Sequence, residues 1–263
     1  MYASVLIPFY NGDKHRDRSV RAVIKSALNS LESDSELIVA EQVTKTDLSE
    51  FSSDPRFKHI LVGGSSWNKS TAWNEGFKHT KGEAIIGLDA DIIAPEDFFK
   101  KEYVNNAVSS SSLHYPFVDI VDMTISETNA YCESTSFLKH IDVSEQANRL
   151  RNGRRCFGGI WIMHRDTFVD VGGYDRSFEI WGGEDDIFHW ICTARFTRSA
   201  VTRGIGVIYH LWHPVSNTKE YLESDAYKAV VNRKQAIMQS YNDSTNSPKY
   251  CKVQRFINGL AGL

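Results

Sequence analysis

Three consecutive acids, Glu184, Asp185 and Asp186, follow Trp181, Gly182 and Gly183 at the point where an amphipathic helix begins. Ile187, Trp190, Ile191 and Ala194 recur at helical spacing, so the acids occupy the first turn of a helix with one buried face. An acid there satisfies free amides and the helix dipole, a contribution of about 0.5–2 kcal/mol at a good N-cap. One acid is enough for that. The surplus carboxylates suit a polar ligand and a general base, while the two glycines permit unusual backbone angles and Trp181 offers an apolar wall of the kind that stacks on a sugar ring. Cap and site both fit these residues taken alone.

A second group lies in "LDAD", where Asp89 and Asp91 end an apolar run and project from the same side of the chain. Two carboxylates so close repel unless a cation or a proton joins them. Oxygen ligands suit Mg²⁺ or Mn²⁺, and Mn²⁺ also accepts imidazole; a solvated acidic turn is the alternative. "VIYHLWHP" offers His210 and His213 as a further metal ligand, with His210 preferred because it stands at a strand end; a structural histidine beside Trp212 is the bland reading of either. Such a set leaves positions open for diphosphate oxygens. In "SSWNKSTAWNEGF" a helix start can face phosphates, with Lys69 as a point charge and Trp67 as a flat surface for a base. Trp73, inside that helix, is expected in the core.

These residues need a frame that collects them. The first ninety residues alternate short apolar runs, "SVLIPF", "ELIVA", "HILVG" and "EAIIGL", with helical patterns near 17–31 and 68–78, which reads as βαβ units around a mostly parallel sheet of an α/β fold. Ligands then belong at the carboxyl ends of the strands, where Asn11, Glu41, Gln42, Asp89 and Asp91 gather. Between about 95 and 150 the pattern weakens, with a helix starting near Pro95 and an apolar stretch "YPFVDIVDM". The basic run "RLRNGRR" reads as a solvated loop or as a loop that closes over an anionic ligand. A short helix near 165–170, a strand "GVIYH" and a polar helical tail from about 219 complete the chain. With no repeat and no Pro- or Gly-rich linker, one domain over 1–263 is expected: a nucleotide-binding half (1–94), an acceptor and catalytic half (95–214) and a helical tail (215–263).

The 263 residues carry a net charge of −3, which gives no general reason to expect polyanion binding. The first strand starts within a few residues of Met1, leaving no room for a signal peptide, and no apolar run approaches the ~20 residues that span a membrane, so a cytoplasmic protein without an integral membrane segment is expected. Cys132, Cys156, Cys192 and Cys251 form no CxxC pair, which argues against a zinc knuckle or a thioredoxin-like site.

Taken in order, "IPFYN", "IVAEQ", "WNKSTAWNEGF", "LDAD", "CFGGIWIMHRDTFVDVGGYD" and "WGGEDD" resemble the motifs of GT-A glycosyltransferases, most closely the β-1,4-galactosyltransferase type, and also the family of inverting synthases that includes chondroitin-polymerase domains. The resemblance covers residues 4 to about 214 and implies a GT-A fold. It also implies a metal-dependent inverting hexosyltransferase that uses Mn²⁺ or Mg²⁺ and moves a sugar from a UDP-sugar to an acceptor hydroxyl. By the same resemblance Pro8, Phe9 and Gln42 line the nucleotide pocket, Trp67 lies near the base and Lys69 approaches the diphosphate. Asp91 binds metal, Asp89 contacts metal or donor sugar, and His210 matches the downstream metal histidine. Gly158 and Gly159 line the sugar pocket, Trp181, Gly183 and Glu184 hold donor sugar or acceptor, and Asp185 is the base. Tyr10 and Lys69 stand where the galactosyltransferases have arginine, so the transferred sugar is left open. The acceptor is expected to be a glycan or another hydroxyl compound, with a hydroxylated DNA base as a minor option through the basic run. Two rival classes remain at this stage, a metal-dependent nucleotidyltransferase or phosphohydrolase that uses Asp89 and Asp91, and a non-catalytic carbohydrate-binding protein that uses the Trp181 face.

Overall fold

The computed structural model describes residues 3–134, 150–152, 156–178, 182–196, 200–214 and 223–245. Strand β1 (Ala3–Phe9) is flanked in parallel by β2 (Glu36–Gln42) and β4 (Ala84–Leu88), and β3 (Phe57–Val62) extends the sheet beyond β2. Every residue of β1, β2 and β4 is buried, which is why these runs are apolar without alternation: parallel strands covered on both faces have no wet side. The helix α1 (Lys14–Ser30) starts at Asp13, whose carboxylate accepts from the amides of His15 and Arg16, and it buries Val20, Val23, Ile24, Ala27 and Leu28 along one stripe.

Helix α2 (Lys69–Phe77) is capped by Asn68, which accepts from the Thr71 amide. It lies close on the sheet at Gly76, where an added Cβ would come within 2.6 Å of Leu6 and 2.8 Å of Ala40. Next come β5 (Ile92–Ile93), a 3-10 turn at Glu96–Phe99, α3 (Lys101–Ser110), β6 (Leu113–Asp122) and α4 (Ile125–Glu133). The remainder is β7 (Leu150–Asn152), β8 (Ile160–His164), α5 (Arg165–Val171), α6 (Glu184–Phe196), β9 (Val201–His210) and α7 (Asp225–Thr245).

The strands form a single sheet in the order β3-β2-β1-β4-β8-β6-β9-β5, with β7 on β6. The half formed by β1 to β4 is parallel as expected. Beyond β4 the sheet is mixed: β8 runs antiparallel to β4 and β6, whereas β6 and β9 are parallel. The basic run is therefore not wholly a loop, because Leu150–Asn152 pairs antiparallel with β6; the arginines at 149, 154 and 155 lie outside the described residues. The helical tail is described from Asp225 to Thr245, and the expected start near 219 lies outside the described residues.

An aromatic layer ties the two halves together. Trp73 stacks on Tyr174 at 5.5 Å, and Tyr174 stacks on Phe188 at 4.1 Å, with Trp161 against all three. Such pairs add about 0.5–1.5 kcal/mol each beyond the area they bury. Trp73 is thus a core residue, as its place in the helix predicts. Cys132, Cys156 and Cys192 are free thiols, and no helix among the described residues is long and apolar enough to cross a membrane.

Candidate active site

Strand register brings the metal-ligand candidates together. In the antiparallel β5–β9 pair Ile92 stands opposite His210, and the Leu211 amide donates to the Asp91 carbonyl at 2.8 Å. The loop after β9 therefore passes over "LDAD". Asp91 Oδ2 lies 3.2 Å from His213 Nε2 and 3.8 Å from His210 Nε2, and ligand atoms of the three residues fall within 4.8 Å of one another. Burial opposes ionisation of Asp91, but the hydrogen bond from His213 and the charges of His210 and Arg16 hold it well below the usual carboxylate range. Its partner His213 is raised by the same contact. One oxygen and two imidazole donors at this spacing form a candidate site for a divalent cation. The structure thus gathers both histidines that the sequence offers, with His213 nearer to Asp91 than the preferred His210.

The parallel β6–β9 register sets Asp122 beside His210, and Asp122 Oδ1 lies 3.1 Å from His210 Nδ1. Arg151 of β7 pairs with Asp122 at 2.7 Å. A carboxylate on Nδ1 holds the proton there and turns Nε2 toward Asp91 as a lone-pair donor. Asp122→Asn should therefore weaken Mn²⁺ binding about 10- to 100-fold, read as free Mn²⁺ by electron paramagnetic resonance. Unchanged binding would assign Asp122 to the strand edge alone.

Asp89 faces a different partner. Its amide donates to the Gly159 carbonyl at 2.8 Å, and its Oδ2 accepts from the Gly159 amide at 2.9 Å. Its Oδ1 meets Lys69 Nζ at 2.9 Å. The same ammonium sits 2.9 Å from Asp185 Oδ2 and 3.6 Å from Glu184 Oε1. One cation therefore serves three carboxylates. Burial pushes the Asp185 carboxyl up to about 8; Lys69 pulls against this, and Glu184 and Asp89 add to the rise by repulsion. Asp89 is raised for the same first reason. An acid tuned near neutrality is suited to proton transfer.

Gly158 threads between the two acids. A Cβ there would stand 2.6 Å from Asp185 Oδ2 and 3.3 Å from Asp89 Oδ2. Gly158→Ala should displace Asp185 and lower turnover by about 100-fold, as a misplacement near 1 Å can, with an unchanged far-ultraviolet circular dichroism spectrum. Gly159 needs its own glycine for its backbone angle, φ +95.

The three acids of the opening run divide their work. Glu184 accepts from the Gly182 amide at 3.2 Å, a cap-like contact, and also faces Lys69. Asp185 faces Lys69 and the hydroxyl of Tyr174 at 3.5 Å. Asp186 pairs with Lys234. Gly183 adopts φ +92 and its carbonyl accepts from Ile187, so it is the cap position of α6. Trp181 lies outside the described residues.

At the carboxyl ends of β1 and β2, Gln42 bridges two loops: its amide donates to the Gly63 carbonyl at 3.0 Å, and its oxygen accepts from the Asn68 amide at 2.7 Å. Pro8 and Phe9 are buried at the end of β1. The half-buried aromatic surface there belongs to Tyr10 and Trp67, stacked at 5.8 Å and 21°. Glu41 is fully buried beneath, and although burial opposes it, bonds from His59, Thr44 and Thr46 hold it at about 2. Sequence reasoning missed Asp122, Tyr174 and the Tyr10–Trp67 pair. The place of Asp122 at the end of the apolar run "YPFVDIVD" was the available signal for it.

The model of the family described as glycosyl transferase family 2 matches residues 4–172, well over half of the chain. The chain belongs to glycosyl transferase family 2. A second model, described as the N-terminal domain of galactosyltransferase, matches residues 139–214, so the segment that holds the acid run carries the galactosyltransferase likeness. N-acetylgalactosaminyltransferase 6 of Drosophila melanogaster is 26% identical over 149 residues, 51% of this chain and 22% of that protein. The probable N-acetylgalactosaminyltransferase 9 of Caenorhabditis elegans is 24% identical over 169 residues, 58% of this chain and 29% of that protein. The family 2 chain thus spans less than a third of either relative. Among solved structures, glucosyl-3-phosphoglycerate synthase from Mycobacterium tuberculosis, crystallised with Mn²⁺, UDP and phosphoglyceric acid, superposes with a TM-score of 0.54 at 16% identity, covering 91% of this chain and 78% of that one. S. aureus TarS 1–349 gives 0.57 at 13% identity, covering 80% and 60%. These likenesses establish a GT-A fold and a glycosyltransferase domain.

Proposed function

We propose that this domain is a metal-dependent, inverting glycosyltransferase that moves a sugar from a UDP-sugar to an acceptor hydroxyl. The observation that carries the reading is the placement of Asp185, a half-buried carboxylate with a raised pKa, across Gly158 from Asp89, two residues before the Asp91 that meets His210 and His213. In a single displacement the acceptor oxygen attacks the anomeric carbon, its proton passes to Asp185, and the bond to UDP breaks on the opposite face, so the anomeric configuration inverts. Lys69 neutralises the carboxylates while the acceptor hydroxyl approaches Asp185, and Gly158, with no side chain, lets the Asp185 and Asp89 carboxylates close on the backbone there. Tyr10 and Trp67 offer the aromatic surface for the base. Asp91, His210 and His213 would hold the divalent cation, which when bound supplies positive charge to the departing diphosphate. The Mycobacterium tuberculosis synthase with Mn²⁺ and UDP supports a cation and a uridine nucleotide here. We further propose a glycan hydroxyl as acceptor.

Isothermal calorimetry of UDP, GDP and CMP, with Mn²⁺ and again with EDTA, tests the donor. UDP is expected to bind best and to lose its affinity in EDTA. His210→Ala and His213→Ala should each reduce the Mn²⁺-dependent part of that affinity. UDP binding indifferent to EDTA would refute the metal-bridged donor.

A further inference from the structure

Asp186, the third acid of the run, pairs with Lys234 and not with Lys69. Lys234 belongs to α7, which lies beyond both family-model matches, since these end at 172 and 214. Val230, Arg233, Lys234 and Ile237 fall on one face of that helix by their spacing. This face meets the acid segment at two points and Asp175 at a third. Val230 lies against Gly183, where an added Cβ would be 3.3 Å from Val230 Cγ1. Arg233 Nη2 stands 3.5 Å from Asp175 Oδ2, and Lys234 holds Asp186. Val230 and Ile237 also pack on the apolar core. Gly183 and Asp186 bracket Asp185 in the chain, so the segment that carries the base is held by Lys69 on one side and by α7 on the other.

We propose that α7 is a brace for the catalytic segment, with Lys234 as the positioning residue that fixes the first turn of α6 and hence the direction in which Asp185 points; this rests on the reading of Asp185 as the base. The side chains of Lys234 and Asp186 are 34% and 31% exposed. An ion pair so wet contributes little to stability, so its effect belongs in turnover.

The test uses the full chain with Lys234→Met, Lys234→Arg, and the charge exchange Asp186→Lys with Lys234→Asp, each followed by kcat, UDP affinity, thermal midpoint and deuterium exchange of the amides of 182–187. In Lys234→Met, kcat should fall about 10- to 100-fold while UDP affinity and midpoint stay at the parent values, and the 182–187 amides should exchange faster. Lys234→Arg should keep most of the turnover, and the charge exchange should recover part of what Lys234→Met loses. Unchanged amide exchange in Lys234→Met, or a loss of kcat that follows the midpoint and is not recovered by the charge exchange, overturns the brace. Asp185→Asn assayed beside these variants separates the two ideas: full activity there removes the base assignment, while the amide exchange still decides whether α7 holds the segment.

Discussion

Asp185→Asn is expected to lose about 10²- to 10⁴-fold in kcat while UDP affinity in Mn²⁺ stays near that of the parent, because general-base help is of that size and the amide keeps the shape of the side chain. Its measurement is a steady-state assay of donor consumption beside calorimetric UDP binding. The pH profile supplies an independent check. Asp185 accepts a proton only when ionised, and burial places its carboxyl at about 8 in the free enzyme. The base-competent fraction therefore grows as pH rises toward that value, and kcat/KM, which reports groups of the free enzyme, should climb across the same interval and level off above it. The climb should vanish in Asp185→Asn. A profile already flat from pH 5 would mean that the reacting proton goes elsewhere. Glu184, which also faces Lys69, would be the next candidate, although it is tied to the Gly182 amide.

Much of this arrangement could be read from the chain because strand ends and helix starts have local signatures. The apolar runs before Asn11, Gln42 and Asp89 mark buried strands, and the carboxyl edge of a parallel sheet is where ligands collect. The acids after Gly183 mark a helix start in the same way. Partnerships across the sheet were not legible. Whether His210 or His213 meets Asp91 depends on the register of β5 against β9, and that register has no local code when the strands are two and ten residues long and far apart in the chain. Likewise Lys69 and Asp185 are 116 positions apart, and only the close approach of α2 and α6 to the sheet reveals that the lysine neutralises the acid run. The tail read as a polar helix gave no sign of touching the site, because apolar residues at helical spacing such as Tyr227, Val230 and Ile237 mark a buried face without naming what it packs on.

Replacing Lys69 with Met should destabilise the fold at neutral pH, and the loss should shrink as the pH falls. Lys69 is the one cation within 4 Å of Asp89, Glu184 and Asp185 among the described residues, and its side chain is 20% exposed. Breaking a buried ion pair on one side costs about 3–5 kcal/mol; partial exposure screens the remaining charges and brings the expected loss to about 2–3 kcal/mol at pH 7. The sign of the pH effect follows from proton binding. Asp185 and Asp89 are already raised above their unfolded values with Lys69 present, so in this range the folded state holds more protons than the unfolded one and stability falls as pH rises. Without the ammonium both carboxyls rise further. Protonation below pH 8 then relieves the repulsion that Met cannot offset, and the repulsion grows as Asp185 ionises above that value. Thermal midpoints of parent and variant in EDTA should therefore diverge as the pH rises from about 7 to about 9, and Lys69→Arg, which keeps the charge, should follow the parent. A gap between Lys69→Met and the parent that stayed constant over this range would mean that the lysine contributes packing and that the three acids are already relieved by solvent. Asp185 would then lack the electrostatic setting that raises it, and the pH climb expected of kcat/KM would lie well below 8.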